Sequence, residues 1–410
     1  MTAQSKVSTF EKANTARPQP RVRRRPVLHL CYDLEADDPA RGAVDLTLIS
    51  QRSGWRAIIA SSGGRLVHDA ERAAVPHRTI PFNKTGIVNG WLCRNDLDTI
   101  IQKEHPCIIH AHGFEMLPHA SSASRAHNLP LVVDLTQPIT DLKRGRRLLS
   151  HLSETHSLVR VPTEFMGRHL CDDLGLPVER IYHVPPGIDL QLFGARPISA
   201  ERLAAAARLW RLPEHGVVAL LPLPLTPGMG HEVFLRALAR VAKEESIFAV
   251  LIGNDRFAPG FRAEVEERVA SLQLQGQVVT PEFCTDWPAA FWLSSVVIAP
   301  NTAPRGENRT LLAAQAMGRP VIVTATGANS EMLKDSETGW VVPPDDAEAL
   351  VDALREAIRL DTDQRLGLAE ATRDFIASTF PHAEWFEEIV GMYETLLGAR
   401  GSEHTEGKAA

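Results

Sequence analysis

The chain has 410 residues, of which 44% are hydrophobic, 23% charged and 6% aromatic, a length that suggests two domains, or at most three, each with its own core. Its 50 acidic and 44 basic residues leave a formal charge of -6, which argues against generalised polyanion coating such as non-specific DNA binding while leaving room for a local basic patch. No apolar run approaches the roughly 18 to 20 residues that cross a bilayer, and the polar N-terminus lacks a signal-peptide core; the cysteines, Cys31, Cys93, Cys107, Cys171 and Cys284, show no CxxC spacing, so a soluble, cytoplasmic chain with reduced packing cysteines is expected.

Residues 1–25 hold Pro18 and Pro20 and end in Arg21, Arg23, Arg24 and Arg25, the composition of a disordered basic tail whose functional reading is a weak anchor to anionic lipid. From Pro26 on, short β-rich runs alternate with segments of helical period. Strands are predicted at 26–33, 55–62, 77–82, 106–113, 130–135, 157–163 and 181–187, and most spacers are long enough for helices, the mark of a parallel sheet with crossovers. The pattern restarts with predicted strands at 216–223, 248–253, 277–282, 295–300, 320–327 and 339–343. The clearest helix is predicted over 345–360, an Asp cap followed by Leu350, Leu354 and Ile358 on one stripe. Two successive βα series imply two doubly wound, Rossmann-like α/β domains, 26–196 and 197–380; such sheets bind ligands at the carboxyl ends of their strands, which makes the cleft between the domains the first place to look. Residues 381–399 predict an amphipathic helix with Trp385, Ile389, Met392, Tyr393 and Leu396 as its buried face, and the polar residues 400–410 a disordered tail.

At VPPGIDLQLF (184–193) the sequence resembles a family 4 glycosyltransferase of the GT-B class, which carries Pro-x-Gly-Val-Asp-x-x-x-Phe there. The likeness continues through 313–350, similar to the family's Glu-Ala-Gln-Ala-Met-Gly-x-Pro-Val and Glu-Thr-Gly-x-x-Val-Pro-Pro segments. Residues 34–46, 60–73 and 108–113 fit bacterial members that assemble cell-surface polysaccharide or lipopolysaccharide. The resemblance implies an acceptor-side N-terminal domain, a nucleotide-sugar-side C-terminal domain and a last helix returning to the first domain. It also implies retaining transfer from a nucleotide diphosphate sugar without a bound metal or other cofactor. Two loops that enter helices, 228–241 and 306–317, offer N–H groups to a diphosphate, with Asn308 as N-cap of the second. Gly187, Gly228, Gly230, Gly306, Asn308, Arg309 and Gly327 are accordingly the nucleotide-sugar-binding candidates.

The family's charged groups are missing from their positions. Its Arg and Lys on the loop after the first strand of the second domain read Pro224 and Met229, and its Glu-x7-Glu pair reads Arg305 and Ala313. Glu307 and Gln315 have the same spacing, but that register displaces Gln315 by two residues from the Gly318-Arg319-Pro320 anchor. The family's N-domain His reads Thr136, followed by Gln137, and the glycine pair of the first βα turn reads Asp37 and Asp38. Losing both cations is expected to remove on the order of 10⁴-fold in rate. Arg305 and Arg309 could supply replacement cations, or belong to a solvated loop. His110, His112 and Gly113 are expected to line the cleft, the two His side chains on one side of a strand and without a third ligand that would make them a metal pair. Lys143, Arg144, Arg146 and Arg147 form a basic patch suited to an anionic membrane or a lipid-linked acceptor. The readings carried forward are a transferase with lost or strongly reduced activity, an active enzyme with a rearranged site, and a non-catalytic scaffold or sensor that pairs with an active transferase.

Overall fold

The computed structural model describes residues 25–35, 38–152, 155–194 and 196–406; residues 1–24 of the expected basic tail, Asp37 and residues 407–410 lie outside them. In the first half the elements run β1 (Val27–Cys31), α1 (Asp38–Arg52), β2 (Ala57–Ser61), α2 (Val67–Arg72), β3 (His77–Thr79), α3 (Ile87–Glu104), β4 (Ile108–His112), α4 (Leu117–His127), β5 (Leu131–Asp134), α5 (Leu142–Leu149), β6 (Ser157–Val161), α6 (Glu164–Arg168) and β7 (Ile181–His183). The chain crosses through α7 (Leu190–Phe193) and α8 (Ala200–Leu209) into β8 (Val217–Leu221), α9 (His231–Val241), β9 (Ile247–Leu251), α10 (Phe261–Ser271), β10 (Val278–Val279), α11 (Trp287–Leu293), β11 (Val296–Ala299), α12 (Arg309–Ala316), β12 (Val321–Thr324), β13 (Trp340–Val342), α13 (Ala347–Arg359), α14 (Thr362–Thr379) and α15 (His382–Glu406).

The strands form a 7-stranded sheet, β3-β2-β1-β4-β5-β6-β7, and a 6-stranded one, β10-β9-β8-β11-β12-β13. Every pair is parallel, and each order reverses once, beside β1 in one sheet and β8 in the other. The central strands are buried along their whole length, as in VLHLC of β1 and VVIA of β11. Helices on both faces require this, and the sequence shows it as near-continuous apolar runs. Each predicted strand is present, the shortest trimmed from 277–282 to Val278–Val279. The predicted cap of α13 is Asp346, whose carboxylate accepts from the N–H groups of Glu348 and Ala349.

α15 returns to the first sheet: Trp385, Ile389, Met392, Tyr393 and Leu396 are buried with Val27, Trp55, Ile108 and Val132 in one core. It runs past residue 399, where its sequence pattern ends, as far as Glu406. Its start is welded to the crossing segment, where Ile188 N–H donates to Phe380 C=O and a Cβ on Gly187 would stand 2.6 Å from Trp385 Cβ. Only a glycine lets the two segments approach this closely. That contact explains the glycine of the VPPG segment as a packing residue.

Candidate functional site

Strand register sets the first half of the site. Cys31, His112, Asp134, Arg160 and Tyr182 are successive partners across β1, β4, β5, β6 and β7, with His29 and His110 paired two residues earlier. Alternation puts His110 and His112 on one face of β4, with His29 beside them from β1. These three histidines bring ring nitrogens within 4.8 Å of one another. The expected absence of a third partner for His110 and His112 is therefore corrected: His29, 81 residues upstream of His110, supplies it through the sheet.

The hydrogen bonds fix how these rings are protonated. Burial, followed by the neighbouring imidazoles, holds His29 well below the ordinary histidine value, and burial takes His110 down to about 4. Burial would raise Asp134, but Arg160 and the histidines outweigh it and keep its carboxylate well below the usual range. Burial, with Asp134 nearby, pushes the Tyr393 hydroxyl well up, so it keeps its proton and donates to His110 Nδ1 at 2.7 Å. His110 Nε2–H then faces Asp134 Oδ1 at 3.2 Å. His112 Nδ1 faces Asp134 Oδ2 at 3.4 Å, and His112 Nε2 accepts from His29 Nδ1–H at 3.0 Å. His29 Nε2 is left as a bare acceptor. The imidazoles thus have the ligand number for a soft divalent cation, but both nitrogens of His112 are already directed at Asp134 and His29.

From Asp134 the polar chain leaves the N-terminal domain. Arg160 Nη1 lies 3.4 Å from Asp134 and 3.6 Å from Glu307 of the C-terminal domain. Glu307 Oε1 is 3.2 Å from Arg309, which reaches Asp45 on α1 at 3.1 Å and donates to Gly187 C=O at 2.9 Å. The Arg309 guanidinium also lies over the Trp385 ring, 5.0 Å from its centre. Arg160, Glu307 and Arg309 are all buried. Arg309 is therefore a rivet between the domains and the last helix. What remains open at this junction, beside His112, Asp134, Thr136 and Arg309, is about 10 Å³, the space of one water.

The backbone closes the same seam. Glu307 N–H donates to Thr136 C=O at 2.8 Å, and Gln137 Nε2–H donates to Glu307 C=O at 2.7 Å. A Cβ on Gly306 would stand 2.2 Å from Thr136 O, so this position admits no side chain without moving the domains apart. Glu331 caps α6 from across the cleft, accepting from the N–H groups of Glu164 and Phe165, and Arg256 meets Asp33 at 2.9 Å. Gly113 ends β4, its N–H donating to Asp134 C=O.

At the second half of the site, on the carboxyl edge of the other sheet, Asn301, Thr324, Thr326 and Asn329 hydrogen-bond one another, and the three positions Pro224, Met229 and Ala313 carry no charge. Met229 and Ala313 are buried and Pro224 is half-buried. Gly230 opens α9 with φ +79°, and a Cβ there would stand 1.9 Å from Pro300 O. Gly228 accepts from the N–H groups of Thr302 and Ala303, and Gly327 lies against the Arg305 backbone. Asn308 caps α12 as the sequence predicts, accepting from Leu311 N–H. Arg305 reaches back to the α9 loop, with Nη1 3.4 Å from Met229 Sδ. His231, at the start of α9, is buried with neither ring nitrogen hydrogen-bonded, and burial lowers it to about 4. Lys143, Arg144, Arg146 and Arg147 lie apart from all of this, exposed on α5.

Sequence similarity agrees with this geometry. Residues 40–192 match the model for Glycosyltransferase Family 4, and residues 218–359 that for Glycosyl transferases group 1. Anabaena HepE in complex with UDP-glucose superposes with a TM-score of 0.80 at 18% identity, over 90% of this chain and 99% of that one. The chain belongs to the family 4 glycosyltransferases, and its fold is GT-B. Among curated members, this glycosyltransferase-family chain is 27% identical over 353 residues to the phosphatidyl-myo-inositol mannosyltransferase of Mycobacterium tuberculosis, covering 82% of the chain and 84% of that protein. It is 25% identical over 232 residues to the putative colanic acid biosynthesis glycosyltransferase WcaL of Escherichia coli, covering 54% of the chain but only 53% of that protein. The chain thus spans about half the length of some relatives it matches.

Proposed function

We propose that this family 4-like protein acts in cell-envelope polysaccharide or lipopolysaccharide assembly, with nucleotide-sugar transfer lost or strongly reduced. The observation that carries the proposal is the pairing of Met229 with Arg305. In the family's pattern these two positions bring a lysine and a glutamate to the donor; here one is a thioether and the other carries the opposite charge. Each lost charge-assisted contact costs roughly 1.5 to 3 kcal/mol, and each lost donor to the departing diphosphate on the order of a hundredfold in rate or more. The names of the relatives supply the setting, colanic acid in one case and a phosphatidylinositol acceptor in the other. A lipid-linked or polysaccharide acceptor, with peripheral contact at the inner face of the cytoplasmic membrane through the basic α5, fits that setting. An active transferase as partner would fit a scaffold or sensor role.

A second reading, an active enzyme with a rearranged site, draws on the same pair. Arg305 holds a guanidinium beside Met229, on the loop where the lysine is missing, and could meet a diphosphate from the α12 side. Arg309 does not join it in this reading, because its guanidinium is taken up by Glu307, Asp45 and Gly187. Calorimetric titration with a panel of nucleotides and nucleotide sugars, paired with a turnover assay, separates the readings. Weak or absent binding and no turnover are expected. Turnover that Arg305→Ala abolishes would replace the first reading with the second, and clear binding without turnover would favour a sensor.

A further inference from the structure

We infer that three arginines at the amino edge of the second sheet, Arg319, Arg365 and Arg373, form a binding site for a phosphorylated small molecule, on the side of the C-terminal domain away from the cleft. The site is separate from the edge where a nucleotide sugar would be sought, so it does not rest on whether transfer survives. Arg319 lies between α12 and β12, and Arg365 and Arg373 lie on α14, which packs on α12. β11 and β12 are parallel, so Ser295 just before the one and Arg319 just before the other mark the edge turned from the cleft.

The three side chains converge there. Arg319 Nη1 lies 3.5 Å from the C=O groups of Trp292 and Ser294, and Arg365 Nη1 reaches the next carbonyl, that of Ser295, at 3.4 Å. A Cβ on Gly318, the neighbour of Arg319, would stand 2.7 Å from Arg373 Nη2. All three arginines are half-buried, and among the described residues none of them makes an ion pair. Burial first, then the charges of Arg373 and Arg365, hold Arg319 below the ordinary guanidinium value.

Half-buried cations ordinarily come with a carboxylate, because desolvation and like-charge repulsion both oppose the charged form. Elsewhere this chain follows that rule: Arg78 meets Glu104 at 2.6 Å, and Arg256 meets Asp33 at 2.9 Å. Helix ends supply part of the compensation here, since Arg319 serves the last carbonyls of α11 and, through Nε at 3.4 Å from Met317 C=O, of α12. Those contacts sit at the long limit of a hydrogen bond. They also leave out Arg373, which donates no hydrogen bond among the described residues and whose Nε is buried without an acceptor.

The partner that fits is an anion from outside the chain. Guanidinium forks present paired, planar N–H donors, and a phosphoryl group has enough oxygens to meet more than one of them. Trp292 is 37% exposed, with its ring centre 5.7 Å from the Arg319 guanidinium, and supplies an apolar wall for the organic part of such a molecule.

The test is calorimetric titration of the full chain with inorganic phosphate and with pyrophosphate at fixed ionic strength, with chloride as the control anion. Pyrophosphate is expected to bind more tightly than phosphate and to raise the thermal midpoint, and chloride to do neither. Arg365→Gln/Arg373→Gln should weaken pyrophosphate at least about tenfold, the loss of a charge-assisted hydrogen bond or more, whereas Arg305→Ala at the cleft should leave it unchanged. Arg365→Gln alone gives up one long contact, so it should keep the circular dichroism spectrum of the parent and still weaken binding; a folding defect in the double variant then does not decide the question. No binding by the parent, or a midpoint shift that chloride reproduces, overturns the site. Binding that Arg305→Ala removes and the α14 variants retain overturns it too, by moving the anion to the cleft. Nucleotide-sugar titration reads the cleft and the α14 variants read this face, so failure of the transfer reading and failure of this one are told apart.

Discussion

The carboxyl edges of the two sheets share a strand order and differ in where their charged side chains lie. At the N-terminal edge, polar side chains persist, but they are spent on one another: histidines on Asp134, Asp134 on Arg160, Arg160 on Glu307, Glu307 on Arg309. At the C-terminal edge, the positions expected to be charged are Pro224, Met229 and Ala313, and the cation at position 305 rests against a sulfur atom. The buried charges of this chain lie where the domains meet each other. Such a seam favours one closed arrangement over the hinge motion that a two-domain transferase uses to admit and release its donor.

The most severe way to break this contrast is Glu307→Ala. It removes the carboxylate shared by two buried guanidiniums, and breaking a buried pair by deleting one partner costs roughly 3 to 5 kcal/mol. Chemical denaturation should show a loss of that size, and small-angle scattering a more open domain arrangement. Stability lowered by less than about 1 kcal/mol, the value of a surface pair, would show that Glu307 is not a buried link. Next in size is the response to acid. Burial holds His110 and His231 near 4 against an ordinary 6.5, so between those values the unfolded chain takes up protons that the folded chain refuses. Stability is then full above about pH 6.5 and falls on acidification, by up to about 3 kcal/mol for each histidine. The two edges should differ on substitution. His231→Phe loses no hydrogen bond and should flatten the acid slope by one group at little cost near neutrality, whereas His110→Phe also leaves Tyr393 without its acceptor and destabilises at every pH. Equal costs at pH 7.5 would remove the distinction.

Much of this was legible in the chain. The strands, the alternation into two series, the Asn308 cap and the buried face of the last helix follow from periodicity and capping chemistry, which are local. The ladder from Asp134 to Asp45 was not, because its members come from four segments, β5, β6, the start of α12 and α1, and meet only through sheet register and domain closure. A signal existed: His29 in VLHLC, the two histidines in IIHAH, Asp134 at the end of LVVD and Arg160 in SLVRV all place polar groups inside strands that read as buried. A buried polar residue in a parallel strand needs a partner, and the partner is most economically found on the next strand. Gly187, Gly230 and Gly306 were legible as special backbone; each has protein packed against it, a contact that a motif alone does not distinguish from an approaching ligand.

The smallest expected effect is the most discriminating. Met229→Lys restores the family's cation but sets an ammonium beside the Arg305 guanidinium, so it should lower stability and gain little affinity for a nucleotide diphosphate. Arg305→Glu restores the family's carboxylate but leaves it facing a thioether. Together they set opposite charges at two neighbouring positions, and a double-mutant cycle should show favourable coupling of about 1 kcal/mol, read from denaturation midpoints. Nucleotide-sugar binding should rise only in the double variant, because only there does a cation stand free of like charge at the opening of α9. Were Met229→Lys alone to bind as well as the pair, the Arg305 guanidinium would not occupy the lysine's place. The contrast between the two edges would then reduce to missing side chains, with no charge moved into the gap.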